Sequence, residues 1–157
     1  MEHNMFCFQC EQTAGCTGCT GRAGVCGKQA DTAKLQDALT GALIALARTI
    51  QGKQTVSAKI SKQIVDGLFT TVTNVNFNDV TIQQRIDAIH RELPAGTADY
   101  DMNKVWDAQE DMRSLKSLIL FGIRGMAAYA YHAMILGYTD AQLDAFFVKA
   151  LCAVGED

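Results

Sequence analysis

The sequence predicts an all-α fold, a bundle of about five helices that follows an N-terminal loop rich in cysteine and glycine. After residue 28, apolar residues recur at helical spacing along most of the chain, and strand-like alternation is weak. Before it, cysteines are concentrated among glycines that recur every third residue from 15 to 27. With 157 residues, 48% of them hydrophobic, the chain can bury the core of one domain.

Five helices follow from the apolar periodicity. Asp31 or Thr32 can cap the first helix, and Thr139 or Asp140 the last. The single proline, Pro94, ends the third helix. The predicted helices span about residues 31–52, 57–72, 79–93, 108–136 and 139–151.

The fourth helix is the longest and carries the widest apolar face. We expect this face to pack in the core: Leu115, Leu118, Ile119, Gly122, Ile123, Met126 and Tyr129. Gly122 and Gly125 each cost about 1 kcal/mol relative to alanine, which predicts the close approach of another backbone. The aromatic side chains of Tyr131, Phe146 and Phe147 are assigned to the core with Tyr129.

Composition and charge exclude several functions. The net charge is -3 and no basic stripe is present, so we expect no nucleic-acid partner. No apolar run reaches the roughly 18 residues that a membrane span needs, and the first residues do not resemble an export signal. We therefore expect a cytoplasmic protein that binds no membrane, in which clustered cysteines serve as metal ligands or redox groups.

The cysteine spacing indicates a metal centre. Two Cys-x2-Cys pairs, Cys7/Cys10 and Cys16/Cys19, are followed by Cys26. Paired units of this kind also build zinc sites, but five residues between the pairs are few for a zinc ribbon. Five thiols on a glycine-rich loop favour an iron–sulfur cluster. A zinc-stabilised helical interaction module without redox activity, and a disulfide or thiol-exchange site, are the alternatives.

Several motifs resemble the hybrid cluster proteins, also called prismane proteins or hydroxylamine reductases. The first two are the N-terminal sequence MFCFQCEQT of residues 5–13 and GVCGK of residues 24–28. EDMRSLKSLI of residues 110–119 and GMAAYAYHA of residues 125–133 are similar to a later helical block of the same family. The resemblance therefore covers both ends of the chain.

The resemblance implies a ligand set. In the family, four cysteines that match Cys7, Cys10, Cys19 and Cys26 hold an N-terminal iron–sulfur cluster. A 4Fe–4S cluster is favoured and a 2Fe–2S cluster is the alternative, because the interval after Cys19 is one residue longer than in 4Fe–4S members. Cys16 is then an extra thiol. The alternative ligand set has Cys16 in place of Cys19.

The resemblance also implies a role in electron transfer. The family's catalytic hybrid 4Fe–2S–2O cluster is held by residues of a longer remainder, and Cys152 is the only cysteine outside the loop here. We therefore expect a cluster-binding loop (1–28) and a helical bundle (29–157), which form the N-terminal part of an oxidoreductase and are inactive alone, without catalytic residues. The expected partners are a reductase or ferredoxin-like electron donor and the remainder of the enzyme, which reduces hydroxylamine to ammonia or acts on nitric oxide.

The remaining polar residues receive structural interpretations. His3 is assigned to an unstructured terminus, and His90 and His132 to packed or surface positions. Cys152 is assigned to the core as a small apolar residue. The acidic residues that suggest acid–base pairs are interpreted as caps and solvated faces: Glu11, Asp37, Glu110 and Asp111. Arg22 and Lys28 either offset the negative charge of a thiolate-bound centre, face an electron donor or lie on the surface.

Overall fold

A computed structural model describes residues 5–10, 18–53 and 55–156. These residues form six helices and no strand, with two isolated antiparallel bridges near the N-terminus. The helices are α1 (Ala30–Ile50), α2 (Ala58–Thr70), α3 (Asp79–His90), α4 (Asn103–Trp106), α5 (Glu110–Ile135) and α6 (Ala141–Gly155). The predicted all-α fold is confirmed. All five predicted helices are present, and the single turn of α4 lies in the stretch expected to be a connection.

The central helix is α1, which contacts α2, α3 and α6. Its predicted apolar positions lie in the core: Leu39, Leu43, Leu46 and Ile50 are buried. Gly41 allows the connection that precedes α4 to lie directly against α1, since an added Cβ would overlap the carbonyl oxygen of Tyr100. The Tyr100 N–H donates to the Gly41 carbonyl at 3.2 Å. The connection is thereby fixed to the middle of α1.

The helix starts differ in part from the prediction. Asp140 caps α6 as predicted, because its carboxylate accepts from the N–H groups of Gln142 and Leu143 at 2.8 and 2.9 Å. Neither Asp31 nor Thr32 caps α1, which begins one residue earlier without a side-chain cap. The Thr32 hydroxyl instead donates to Asp79 at 2.6 Å and joins α1 to α3.

Most of the face of α5 that we expected in the core is exposed, so that prediction is wrong except at Ile123, which is buried, and Ile119, which is partly buried. The side chains of Leu118 and Tyr129 are 67% and 84% exposed. An added Cβ at Gly122 or Gly125 has no neighbour within 4 Å, which also contradicts the expected close backbone approach. The reason is that, among the described elements, α2 and α6 make the main contacts with α5, and its apolar stripe extends beyond that side. The buried side carries Lys116, Leu120, Ile123, Arg124 and Ala127.

The aromatic residues divide between the core and the surface. Phe147 is buried as predicted, whereas Phe146 and Tyr129 are exposed. Tyr131 is half-buried and stacks on Phe69 at a centroid distance of 4.5 Å. Cys152 is buried in the core, as predicted.

The helix α5 is also long and apolar enough, by length and composition, to cross a membrane. Its most apolar window has a mean hydropathy of 1.3, and 22% of that window is buried. We did not expect a candidate membrane span from the sequence, because no uninterrupted apolar run is long enough. Its inner side carries Lys116 and Arg124, and charged side chains are costly in a bilayer.

Candidate metal centre

Four of the predicted ligand thiols converge on one small cavity. It is lined by Cys7, Cys10, Cys19 and Cys26. Cys16 lies outside the described residues, as do His3 and Glu11. The cavity has a volume of about 10 Å³, close to the space of one water molecule. Within the described ranges, no three cysteine, histidine or acidic side chains are grouped closely enough to hold a single metal ion.

Backbone pairing and two glycines bring these thiols together. Cys7 and Cys19 pair as an antiparallel bridge. The Cys7 N–H donates to the Cys19 carbonyl at 3.1 Å, and the Cys19 N–H donates to the Cys7 carbonyl at 2.8 Å. Gly18 and Gly27 adopt φ angles of +72° and +86°, which glycine reaches without the usual strain. A Cβ at Gly18 would also lie 3.0 Å from the ring of Phe6. The predicted use of glycine to turn the loop tightly is confirmed at these two positions.

The donor set fits the chemistry of an iron–sulfur cluster. Cysteine thiolates are the usual ligands of such clusters, and four suffice. Zinc also accepts four thiolates, so the donor types alone do not separate the two metals. Neither His90 nor His132 lines the cavity. The His90 Nε2 instead lies 2.9 Å from the Asp99 carboxylate, and His132 packs edge-on against Phe69.

Lys28 lies directly beside the thiols and is 1% exposed. Its ammonium donates to the side-chain carbonyls of Gln9 at 2.9 Å and Gln36 at 2.6 Å. It also donates to the Cys7 sulfur at 3.5 Å. Burial raises the pKa of the Cys7 thiol, and the Lys28 charge opposes that increase. The interpretation of Lys28 as a surface residue is therefore wrong, whereas Arg22 is exposed.

A second buried charged group lies beneath the loop. Arg124 donates to the hydroxyls of Thr71 at 3.0 Å and Thr40 at 3.1 Å. Burial lowers the pKa of Arg124, and the charges of Asp37 and Cys7 oppose this decrease. Burial also raises the pKa of Asp37 to about 6, against the influence of Arg124.

Asp37 also anchors the aromatic residues that border the loop. It accepts a hydrogen bond from the Trp106 indole at 3.2 Å, so its interpretation as a solvated residue is wrong. Trp106 in turn packs against the rings of Phe6 and Phe8, at centroid distances of 5.3 and 6.5 Å. Glu110 and Asp111 lie in the exposed first turn of α5, as expected for residues at a helix start.

A larger pocket connects the thiol loop with the exposed side of α5. It has a volume of about 330 Å³, and its lining includes Phe8, Cys10, Leu118, Phe121 and Arg124. Cys10 thus borders both the small thiol cavity and this pocket. An apolar surface therefore begins at a predicted ligand thiol and continues along α5.

The two comparisons with known proteins, one with a family model and one with individual proteins, agree with each other. The sequence model of the Prismane/CO dehydrogenase family matches residues 5–157. A hydroxylamine reductase of Desulfovibrio desulfuricans is 38% identical over 189 residues, which cover 100% of this chain and 34% of that protein. Hydroxylamine reductases of Desulfitobacterium hafniense and Methanococcus vannielii are 37% and 36% identical, each over 98% of this chain and 34% of the relative. The chain spans about a third of the length of the curated relatives it matches.

Proposed function

Because the chain belongs to the Prismane/CO dehydrogenase family, we propose that it is the iron–sulfur electron-transfer part of a hydroxylamine reductase. In this proposal it accepts electrons in the cytoplasm from a reductase or ferredoxin-like donor. It passes them to a catalytic hybrid cluster held outside these 157 residues. The overall reaction is the reduction of hydroxylamine to ammonia, or that of nitric oxide.

The convergence of four cysteine side chains on one cavity carries the proposal. Cys7, Cys10, Cys19 and Cys26 would hold the cluster, which supplies one-electron redox chemistry when bound. The 4Fe–4S type is proposed ahead of the 2Fe–2S type. These thiols lie on the non-helical segments 5–10 and 18–28. The helices beneath them provide the fixed mount.

We also propose that the apolar face of α5 docks the remainder of the enzyme. The relatives are about three times as long as this chain, so their further residues provide an occupant. Leu118 and Phe121 are 67% and 65% exposed and line the pocket that Cys10 borders. A domain bound there lies against a ligand thiol, which is the position that electron transfer needs.

Anaerobic reconstitution tests the cluster proposal. The purified chain is treated with iron and sulfide without oxygen, and bound iron, acid-labile sulfide and zinc are measured. We expect a brown protein that contains iron and sulfide. A colourless protein with one tightly held zinc ion would refute the proposal in favour of the zinc module.

Cysteine variants then identify the ligands. Cys19→Ser and Cys16→Ser are reconstituted separately, and Cys152→Ala is the matched control because this thiol is buried and does not line the cavity. We expect Cys19→Ser to lose most of its iron, whereas the other two variants retain it. Iron loss in Cys16→Ser alone would exchange the two cysteines in the ligand set.

A binding experiment tests the docking surface. The remaining two-thirds of the Desulfovibrio desulfuricans relative is supplied as a separate polypeptide, and complex formation is measured by analytical ultracentrifugation. Leu118→Glu with Phe121→Glu should abolish the complex. Val80→Glu is the control, because Val80 is equally exposed but lies on α3. Equal binding by all three proteins would contradict the docking proposal.

A further inference from the structure

Lys28 is a buried cation whose closest partners are neutral. Lysine is almost never fully buried unless it is paired with an opposite charge. Here the ammonium is held by the amide oxygens of Gln9 and Gln36, and it lies 5.8 Å from the ring centroid of Phe77. None of these groups carries a charge that balances the ammonium.

The described residues place no carboxylate within ion-pair distance of Lys28. Asp37 interacts with it only at longer range, and that carboxylate also faces Arg124 and Trp106. A buried charge without an opposite charge is strongly unfavourable. Among the described residues, its third polar contact is the Cys7 sulfur, which becomes an anion when it binds a metal.

We propose that Lys28 is the charge-compensating residue of the metal centre and raises its reduction potential. This inference rests on the proposed function. When one electron enters a thiolate-bound cluster from its donor, the centre gains one negative charge, and no bond forms or breaks. The Lys28 side chain stabilises the added charge because its Nζ lies 3.5 Å from the Cys7 sulfur. Hydrogen bonding and charge near the sulfurs are among the factors that set such potentials.

Arg22 provides a matched comparison within the same loop. It carries the same charge and lies six residues from Lys28, but its side chain is exposed. Water and salt screen exposed charges far more than buried ones. Removing the Arg22 charge should therefore have a much smaller effect on the potential.

The experiment is an anaerobic redox titration of the reconstituted chain with dithionite, followed by visible absorption. Lys28→Met should lower the equilibrium constant for one-electron reduction by at least about tenfold, a shift of about 59 mV to more negative potential. Lys28→Arg, which keeps the charge, and Arg22→Gln should each change it by less than about threefold. Lys28→Gln is the second neutral variant, because its amide still reaches the neighbouring glutamines.

The outcomes separate this inference from the proposed function. If the wild-type chain takes up no cluster, the proposed function fails and this inference fails with it. If the wild type is loaded and both neutral variants keep its potential, only the role of Lys28 is overturned. If neither neutral variant is loaded, cluster uptake by Lys28→Arg supports the need for charge. If Lys28→Arg also takes up no cluster, the inference is overturned, and Lys28 is needed for its size and shape instead of its charge.

Discussion

The contact between Gly41 and Tyr100 predicts opposite effects for two glycine-to-alanine substitutions. Gly41 lies in the middle of α1, and Gly122 lies in α5. Alanine stabilises an exposed helix interior by about 0.5–1 kcal/mol relative to glycine. At Gly122 nothing opposes this gain, because an added Cβ has no neighbour within 4 Å.

At Gly41 the added methyl group would overlap the Tyr100 carbonyl oxygen, which belongs to the backbone and cannot rotate away. Overpacking in a filled core typically costs about 1–3 kcal/mol. The connection must then move away from α1, and it carries the buried side chains of Tyr100, Met102 and Val105. We expect Gly41→Ala to lower the free energy of unfolding by about 1–3 kcal/mol, even after its gain in helix propensity.

The substitution should also reach the thiol loop. The displaced connection leads into α4 and Trp106, which packs on Phe6 and Phe8. Trp106 is the only tryptophan, so its fluorescence reports this contact without labelling. We expect a red-shifted emission in Gly41→Ala and an unchanged emission in Gly122→Ala.

Thermal unfolding followed by circular dichroism measures both variants. For a chain of this size, each 1 kcal/mol corresponds to about 2–4 °C in melting temperature. The two variants should therefore differ by several degrees, with Gly122→Ala above the wild type. An unchanged or higher stability of Gly41→Ala would refute the proposed contact between α1 and the connection.

The remaining predictions concern pH, capping and metal removal. Because burial raises the pKa of Asp37 from 3.8 to about 6, the folded state binds this proton more tightly than the unfolded state. Its contribution to stability is therefore largest below pH 4 and declines until about pH 6, by about 1–2 kcal/mol for a half-buried group. Asp37→Asn should remove this decline in urea unfolding measured from pH 4 to 7.5, and a decline retained in the variant would assign it elsewhere. Asp140→Ala removes the cap of α6 and should lower the unfolding free energy by about 1 kcal/mol. Asp99→Ala is the control, because Asp99 is exposed and caps none of the described helices, and it should lower the unfolding free energy less. Chelation of the reconstituted protein should leave the helical circular dichroism almost unchanged while residues up to about 28 become sensitive to protease; global loss of helix would show that the bundle also depends on the metal.

The positions of the helices were predictable because periodicity and capping are local properties of the sequence. The spans of α1, α2, α5 and α6 agree with the prediction within a few residues. The one turn of α4 is too short to produce a periodic signal. Which side of α5 would be buried depends on which helices cover it, and that is decided by contacts between distant residues. Its stripe of leucines predicted the wrong side for this reason.

The convergence of the four thiols was predictable in part, because the cysteine spacing and the glycines specify a tight loop. The burial of Lys28 was not. In sequence it follows a glycine in a polar loop, which is typical of a solvated residue. Its acceptor Gln36 lies on the next helix, so only the fold brings the two together. We did not use the one available signal, which is a glutamine among apolar residues of a predicted core helix.

The polar residues of α1 explain how an apolar helix can support a charged centre. Gln36 and Thr40 are one turn apart and therefore lie on one face, with Asp37 beside them. Gln36 accepts from the cation beside the thiols, and Thr40 accepts from the buried guanidinium of Arg124. Two buried cations thus share this face with one carboxylate, whose pKa of about 6 limits its charge in mildly acidic solution. A pocket with an excess of buried positive charge is stabilised by an anionic occupant, and a thiolate-bound cluster is one. The same helix that forms the apolar core therefore also provides the electrostatic environment that the proposed centre requires.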